Sequence, residues 1–255
     1  MKRALKIIGL LITGLIIVIV AVVVATFMGR QAIVDGADAN GLRLVKDGIV
    51  SVGVIPVSEK EVALVDAGND KHGAAILTEL ARRHLGPGAV TTILITHGHP
   101  DHTAAVAMFP NAQVVALKEE VPLIEGRATS SGPLPRMFPA SPTGITVTRP
   151  VKDGDTFILG PHQVRVFAVP GHTQGSAAYL VDDVLFFGDT ADAASDGTII
   201  GSPWIFSDNQ SQNRAALVAL DERLQHVPVK FVVFSHSGLL TSGLAPLDAF
   251  AQANR

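Results

Sequence analysis

From Ile7 to Met28 the chain reads IIGLLITGLIIVIVAVVVATFM, 22 consecutive residues without a charge. Such a run does not belong on the surface of a water-soluble domain, and as a helix rising 1.5 Å per residue it spans about 33 Å, the thickness of a bilayer core. Lys2, Arg3 and Lys6 precede it. A secretory signal would share that basic leader, but its apolar stretch is shorter and closes on a small-x-small cleavage site, whereas this run closes on Thr26, Phe27 and Met28. The expectation is an uncleaved anchor. Only Arg30 follows it before Asp35 and Asp38, so the positive-inside rule puts the N-terminus in the cytoplasm and the rest of the chain outside, in the periplasm of a Gram-negative cell.

The remainder carries the chemistry. The full chain has a formal charge of -3, and the remainder, mildly acidic and without a Lys/Arg cluster or aromatic ladder, offers nothing to nucleic acid. The absence of cysteine excludes a thiolate metal site or a Cys nucleophile, leaving nitrogen and oxygen ligands. Residues 29–41 are small and polar and read as a linker. Apolar runs bounded by turn signals predict strands at Gly48 to Pro56, Val62 to Asp66, Thr92 to Thr96 and Gln113 to Leu117, with helices over Ala74 to Leu85 and Thr103 to Met108. Lys118 to Pro150, with six prolines and three glycines, reads as a surface loop containing a short helical turn, of the kind that lines pockets. A second half predicts strands at Thr156 to Leu159, Gln163 to Val169, Ala177 to Val181, Val184 to Phe187 and Phe231 to Phe234. Helices from Gln210 to Gln225 and Leu244 to Ala253 complete it. Two similar halves that mix hairpins with helices predict an α/β chain: a sandwich of two mixed sheets covered by helices over residues 42–255, behind a leader (1–6) and the anchor (7–28).

Three of the nine histidines fall within HGHPDH, directly after the buried strand TILIT. His97 and His99 stand two apart, so both imidazoles converge on an extended backbone, and Asp101 and His102 can point to a second ion. Imidazole and carboxylate suit Zn, Fe or Mn. Three further strands end on the same residue types: Val169 before Pro170-Gly171-His172, Phe187 before Gly188-Asp189, and Phe234 before Ser235-His236. An α/β sheet collects its ligands at one edge, so strand ends bearing His or Asp point to one site. His72, His84, His162 and His226 sit at helix ends and turns and read as structural or solvated.

Over Gly41 to Arg255 the chain resembles the metallo-β-lactamase fold superfamily. HGHPDH matches its HxHxDH, and GHTQGS, FFGDT, SHSG and VDAG match its later His, its Asp, its last His and an early strand-end Asp. The resemblance implies an αββα sandwich in which His97, His99 and His172 bind one divalent ion, Asp101, His102 and His236 bind a second, and Asp189 bridges them. Asp66 would support the loop without binding metal. The ions would be zinc, with iron or manganese as alternatives. Together they would share a hydroxide that attacks a carbonyl or phosphoryl centre, with Asp101 orienting it or shuttling its proton.

Departures narrow the branch. His99 stands where flavodiiron relatives carry Glu, β-lactamases with a Cys ligand are excluded, and the Cys-free kind lacks the Asp that FFGDT supplies. Glyoxalase II proper carries a C-terminal helical region, whereas 19 residues follow His236. Tyr179, the only tyrosine, lies inside a strand rather than beside the metals as in acyl-homoserine lactonases. The expectation is a membrane-anchored binuclear hydrolase of a small-molecule ester, thioester or lactone. Alternatives are a β-lactam hydrolase, a mononuclear iron enzyme resembling persulfide dioxygenases, and a non-catalytic tethered binding module.

Overall fold

The computed structural model describes residues 2–255. The apolar run forms one helix, α1 (Lys2–Phe27), long and apolar enough to cross a membrane. Gly29 ends it, adopting a left-handed φ of 76° that residues with a Cβ avoid.

Two sheets follow. The first takes its seven strands in sequence order: β1 (Asp38–Ala39), β2 (Leu42–Asp47), β3 (Val50–Pro56), β4 (Val62–Val65), β5 (Val90–Leu94), β6 (Gln113–Leu117) and β7 (Arg149–Val151). Pairing is antiparallel from β1 to β4 and parallel from β4 to β7. The second sheet contains β8 (Thr156–Leu159), β9 (His162–Ala168), β10 (Ala177–Val181) and β11 (Val184–Phe186). Further along the chain it adds β14 (Phe231–Phe234) and β15 (Gly238–Leu240). Only β11 and β14 run parallel in it. A small hairpin of β12 (Ala191–Ala193) and β13 (Ile199–Gly201) lies between.

Helices α2 (Ala74–Arg82), α3 (Pro100–Thr103) and α4 (Val121–Ile124) belong to the first half, and α5 (Gln210–Leu224) and α6 (Ala245–Asn254) to the second. The core has three apolar layers. Leu44, Ile55 and Leu94 meet Val166, Tyr179 and Phe186 between the sheets. Ile76 and Leu80 of α2 cover the outer face of the first sheet, and Leu217 and Leu220 of α5 with Leu247 of α6 cover that of the second. This is the αββα sandwich. Its central strands are buried on both faces, which is why β4 (VALV) and β10 (AAYLV) are apolar throughout rather than alternating.

Two expectations change, and a third gains detail. The helix expected over Thr103 to Met108 is instead α3, followed by a single tight turn at Val106–Met108. Pro100 occupies the first helical turn, where its missing N–H costs nothing, so the helix starts inside HGHPDH. The linker is not free: Arg30 bridges Ala194, Gln31 N–H donates to Ala193 O (3.0 Å), and Asp38–Ala39 pairs with β2. The loop from Lys118 contains α4 and tight turns at Lys118–Glu120 and Pro135–Met137, and it runs into β7.

Candidate metal centre

The parallel strands β4 and β5, and β11 and β14, end at one edge of the sandwich, and the singled-out side chains converge there. Ring nitrogens of His97 (Nε2), His99 (Nδ1) and His172 (Nε2) lie 2.9 to 3.1 Å apart. Asp101, His102 and His236 form a second group: Asp101 Oδ2 is 3.7 Å from His102 Nε2 and 3.4 Å from His236 Nε2. Asp189 stands between the groups. Its Oδ2 is 3.6 Å from His172 Nε2 and 3.1 Å from His236 Nε2, and its Oδ1 is 3.4 Å from His102 Nε2. Among the described residues, His72, His84, His162 and His226 belong to no such group; His162 instead faces Asp182 (2.7 Å) and Pro56 O (3.0 Å).

Hydrogen bonds behind the histidines fix which nitrogen carries the proton. His102 Nδ1–H donates to Asp66 Oδ2 (2.8 Å) and His236 Nδ1–H to Ile49 O (2.9 Å). The Ser207 hydroxyl gives its proton to Pro203 O (2.7 Å), so its oxygen accepts His172 Nδ1–H (3.0 Å). The Thr96 hydroxyl donates to Asp66 Oδ2 (2.8 Å) and faces His97 Nδ1 (3.2 Å) in the same way. In their neutral form four histidines would therefore present Nε2 to the interior as the lone-pair nitrogen, the arrangement that outer-shell partners impose on metal-binding imidazoles. His102 Nε2 and Asp189 Oδ1 are buried with no hydrogen-bond partner. Bare lone pairs and carboxylate oxygens crowded together without donors are unfavourable unless a cation lies among them, so the donor set fits divalent metal.

Asp66 is held at a positive φ of 63°, an unusual conformation for a residue with a side chain. Its Oδ1 accepts Thr96 N–H (2.8 Å) while Oδ2 serves His102 and Thr96. It thus sits one layer behind the histidines and outside both groups.

Electrostatics divide the two groups. Burial, reinforced by neighbouring imidazoles, holds His97 and His172 well below the usual imidazole range, and burial also lowers His99. Burial opposes a charge on His102 as well, but the Asp189, Asp101 and Asp66 carboxylates outweigh it and hold the ring well above that range. His236 is pushed up to about 10, against burial, by Asp189 and Asp101. Asp101 drops to about 2 because His102 and His236 overcome its burial.

Sequence reasoning missed the braces. Glu120, buried in the proline-rich loop, accepts Gly98 N–H at Oε1 (2.7 Å) and Gly175 N–H at Oε2 (2.8 Å), tying the HGHPDH loop to the loop carrying His172. Gly175 is required there, since a Cβ would stand 2.3 Å from Glu120 N. Nothing in Lys118-Glu119-Glu120 distinguishes that carboxylate from a surface charge. Ser207 lies close before the Asn209 cap of α5 and looks like part of a turn. Arg30 is buried with its guanidinium 2.9 Å from Asp192 Oδ2, and Asp192 also accepts from Ser237 Oγ (2.7 Å), beside His236.

Residues 45–236 match the model of the metallo-β-lactamase superfamily. A hydroxyacylglutathione hydrolase of Aliivibrio fischeri is 31% identical over 180 residues, covering 66% of this chain and 62% of the relative. One of Shewanella sp. is 34% identical over 151 residues, covering 57% and 49%. The chain thus spans about half to three-fifths of the length of these relatives. Among solved structures, a metallo-β-lactamase of Novosphingobium pentaromativorans superposes with a TM-score of 0.61 at 19% identity, covering 88% of this chain and 86% of its own. A subclass B3 metallo-β-lactamase of Bradyrhizobium japonicum gives 0.59 at 20% identity, covering 89% and 90%. Those structures share the fold, and the match over residues 45–236 places the chain in the family: it belongs to the metallo-β-lactamase superfamily.

Proposed function

We propose that this chain is a membrane-anchored hydrolase that uses two divalent ions to cleave an acyl thioester, ester or lactone of a small-molecule substrate. One observation carries the reading: two ligand groups joined at Asp189, with the Nδ1 of four imidazoles held by outer partners so that Nε2 is the nitrogen turned to the cluster. His97, His99 and His172 would hold one ion, Asp101, His102 and His236 the other, with Asp189 between; zinc fits these donors, as do iron and manganese. Bound there, the ions would supply polarisation of the substrate carbonyl and an acidified water.

The chain's own groups do the rest. Asp101 keeps a quarter of its side chain exposed to the cleft beside the cluster. With its acidity at about 2 it is ionised at neutral pH, so it accepts a hydrogen bond from the attacking water and holds the proton only in passing. Thioesters head the candidates because the relatives are named for hydroxyacylglutathione, an acyl group carried on sulfur. The N-terminus would face the cytoplasm and the catalytic domain the outside.

The test is a hydrolysis panel of thioester, ester, lactone and β-lactam substrates on the zinc-loaded full chain, with oxygen uptake on a persulfide run alongside. Turnover of the carbonyl substrates with about two ions per chain is expected. Oxygen uptake with one iron per chain would replace this reading by a dioxygenase. A folded protein that binds no metal in zinc-supplemented medium would end it.

A further inference from the structure

The cluster opens into a cleft of about 1090 Å³, above the usual size for a drug-sized ligand. One wall comes from the last turns of α1, through Val23, Val24 and Phe27, and the facing wall from the proline-rich loop, through Leu134 and Phe138. His99, Asp101, Asp189 and His236 line the same space. α1 is built into the site rather than tethered to it. The Phe27 ring lies 5.1 Å from that of His236 and 6.0 Å from that of Phe206, and the Arg30 guanidinium sits 4.1 Å above Phe27 while pairing with Asp192. Gln31 Nε2 donates to Leu239 O (2.7 Å) and Ser195 N–H to Gly29 O (2.8 Å).

At 1.5 Å per residue, Val23 precedes Phe27 by only about 6 Å of helix. With α1 spanning a bilayer, its end would lie beside the ligand histidines, since Phe27 packs on His236, and the cleft would open at the bilayer surface. Apolar side chains stand exposed around it: Met28, Met137 and Phe138 are each more than three-fifths exposed. Leu134 N–H donates to Ile205 O (2.9 Å), joining that loop to the segment of the exposed Trp204. A large apolar surface continuous with a membrane helix marks a lipid contact rather than an aqueous one.

We propose that the cleft takes the acyl chain of a membrane amphiphile. A long-chain acyl thioester or ester enters from the bilayer between α1 and the Pro-rich loop, and its carbonyl then meets the cluster. The statement about the carbonyl rests on the hydrolase reading above; the acyl-chain site stands apart from it.

The test uses the full chain in phosphatidylcholine vesicles with a hexadecyl thioether carrying a terminal diazirine, which resists hydrolysis. On irradiation, peptides spanning residues 118–150 should be labelled, and excess unlabelled hexadecyl thioether should suppress this. Phe138→Asp, at an exposed position that does not threaten folding, should lower the competed labelling about tenfold, while Ile158→Asp, exposed on β8, should not. Labelling confined to α1, or unaffected by competitor, overturns the proposal. So does equal turnover of acetyl and palmitoyl thioesters, which leaves the hydrolase reading intact. Competed labelling without turnover of any thioester, ester or lactone supports the acyl site and sinks the hydrolase reading instead.

Discussion

The two ligand groups are built from similar residues and behave in opposite ways. His97, His99 and His172 are three imidazoles, all buried, with no carboxylate among them. Crowding and burial strip them of protons. Asp101, His102 and His236 include a carboxylate, Asp101 and His236 line the cleft, His236 lies next to Phe27 of α1, and the two rings hold protons tightly. Burial without a counter-charge makes a neutral pocket, whereas burial beside carboxylates makes one that demands a cation, whether proton or metal. The first group suits an ion that stays in place, and the second an ion that meets substrate and competes with protons.

The largest effect should come from removing the residue the groups share. Asp189→Ala withdraws oxygen from both at once, so both ions should be lost and activity should fall by roughly a thousandfold, the scale of several kcal/mol of charge stabilisation. Metal analysis and turnover check this together. Retention of two ions would mean that Asp189 bridges nothing.

Acidification should separate the groups in the unmutated protein. Without metal, His102 and His236 carry protons at pH 7, so an ion entering there must displace them, and its affinity rises with pH. His97, His99 and His172 are neutral at pH 7 and release none. Equilibrium dialysis from pH 7.5 down to about 5.5 should therefore empty the second group first, taking the chain from about two ions towards one. Simultaneous loss of both would erase the distinction between the groups.

A smaller and one-sided effect is expected at Asp66. Asn there keeps the acceptor for Thr96 N–H but turns an NH2 towards His102 Nδ1–H, so the His102 tautomer is no longer held. Activity and affinity at the second group should drop about 10- to 100-fold, the usual consequence of losing an outer-shell partner. One ion per chain should remain, measured by metal content. Equal weakening of both groups would show that Asp66 acts through the Thr96 hydroxyl that it shares with His97.

What could be read from the residues follows a physical divide. β6, β8, β10 and β14 match their predicted bounds because each is a short, largely apolar run closed by turn residues or charges. β12, β13 and β15 are three residues each, too short for any period, and exist because neighbouring backbone pairs with them. β2 (LRLVKD) has three charges and was not predicted as a strand, although its inward side chains are buried. The ligand residues were legible because metal chemistry restricts them to His and Asp at strand ends. Their braces were not, since Glu120, Ser207 and Arg30 act through partners 22 to 162 residues distant in sequence.

Glu120 gives the smallest and most local test of the comparison. Its two oxygens each accept one backbone N–H, from Gly98 between His97 and His99 and from Gly175 just after His172, so it braces only the three-imidazole group. Glu120→Gln preserves the shape but replaces one acceptor by an NH2, which then confronts a backbone N–H inside a buried space. One donor is left unpaired, at a cost of about 1–3 kcal/mol in stability. Thermal or urea unfolding should report that loss in the metal-free protein. The loosened loops should also speed the release of the ion held by His97, His99 and His172 to a chelator, while the ion at Asp101, His102 and His236 leaves at its former rate, because Asp66 and Ile49 O still orient that group. Faster release of both ions would mean that the two groups are mechanically one, joined through Asp189 more firmly than their separate braces imply.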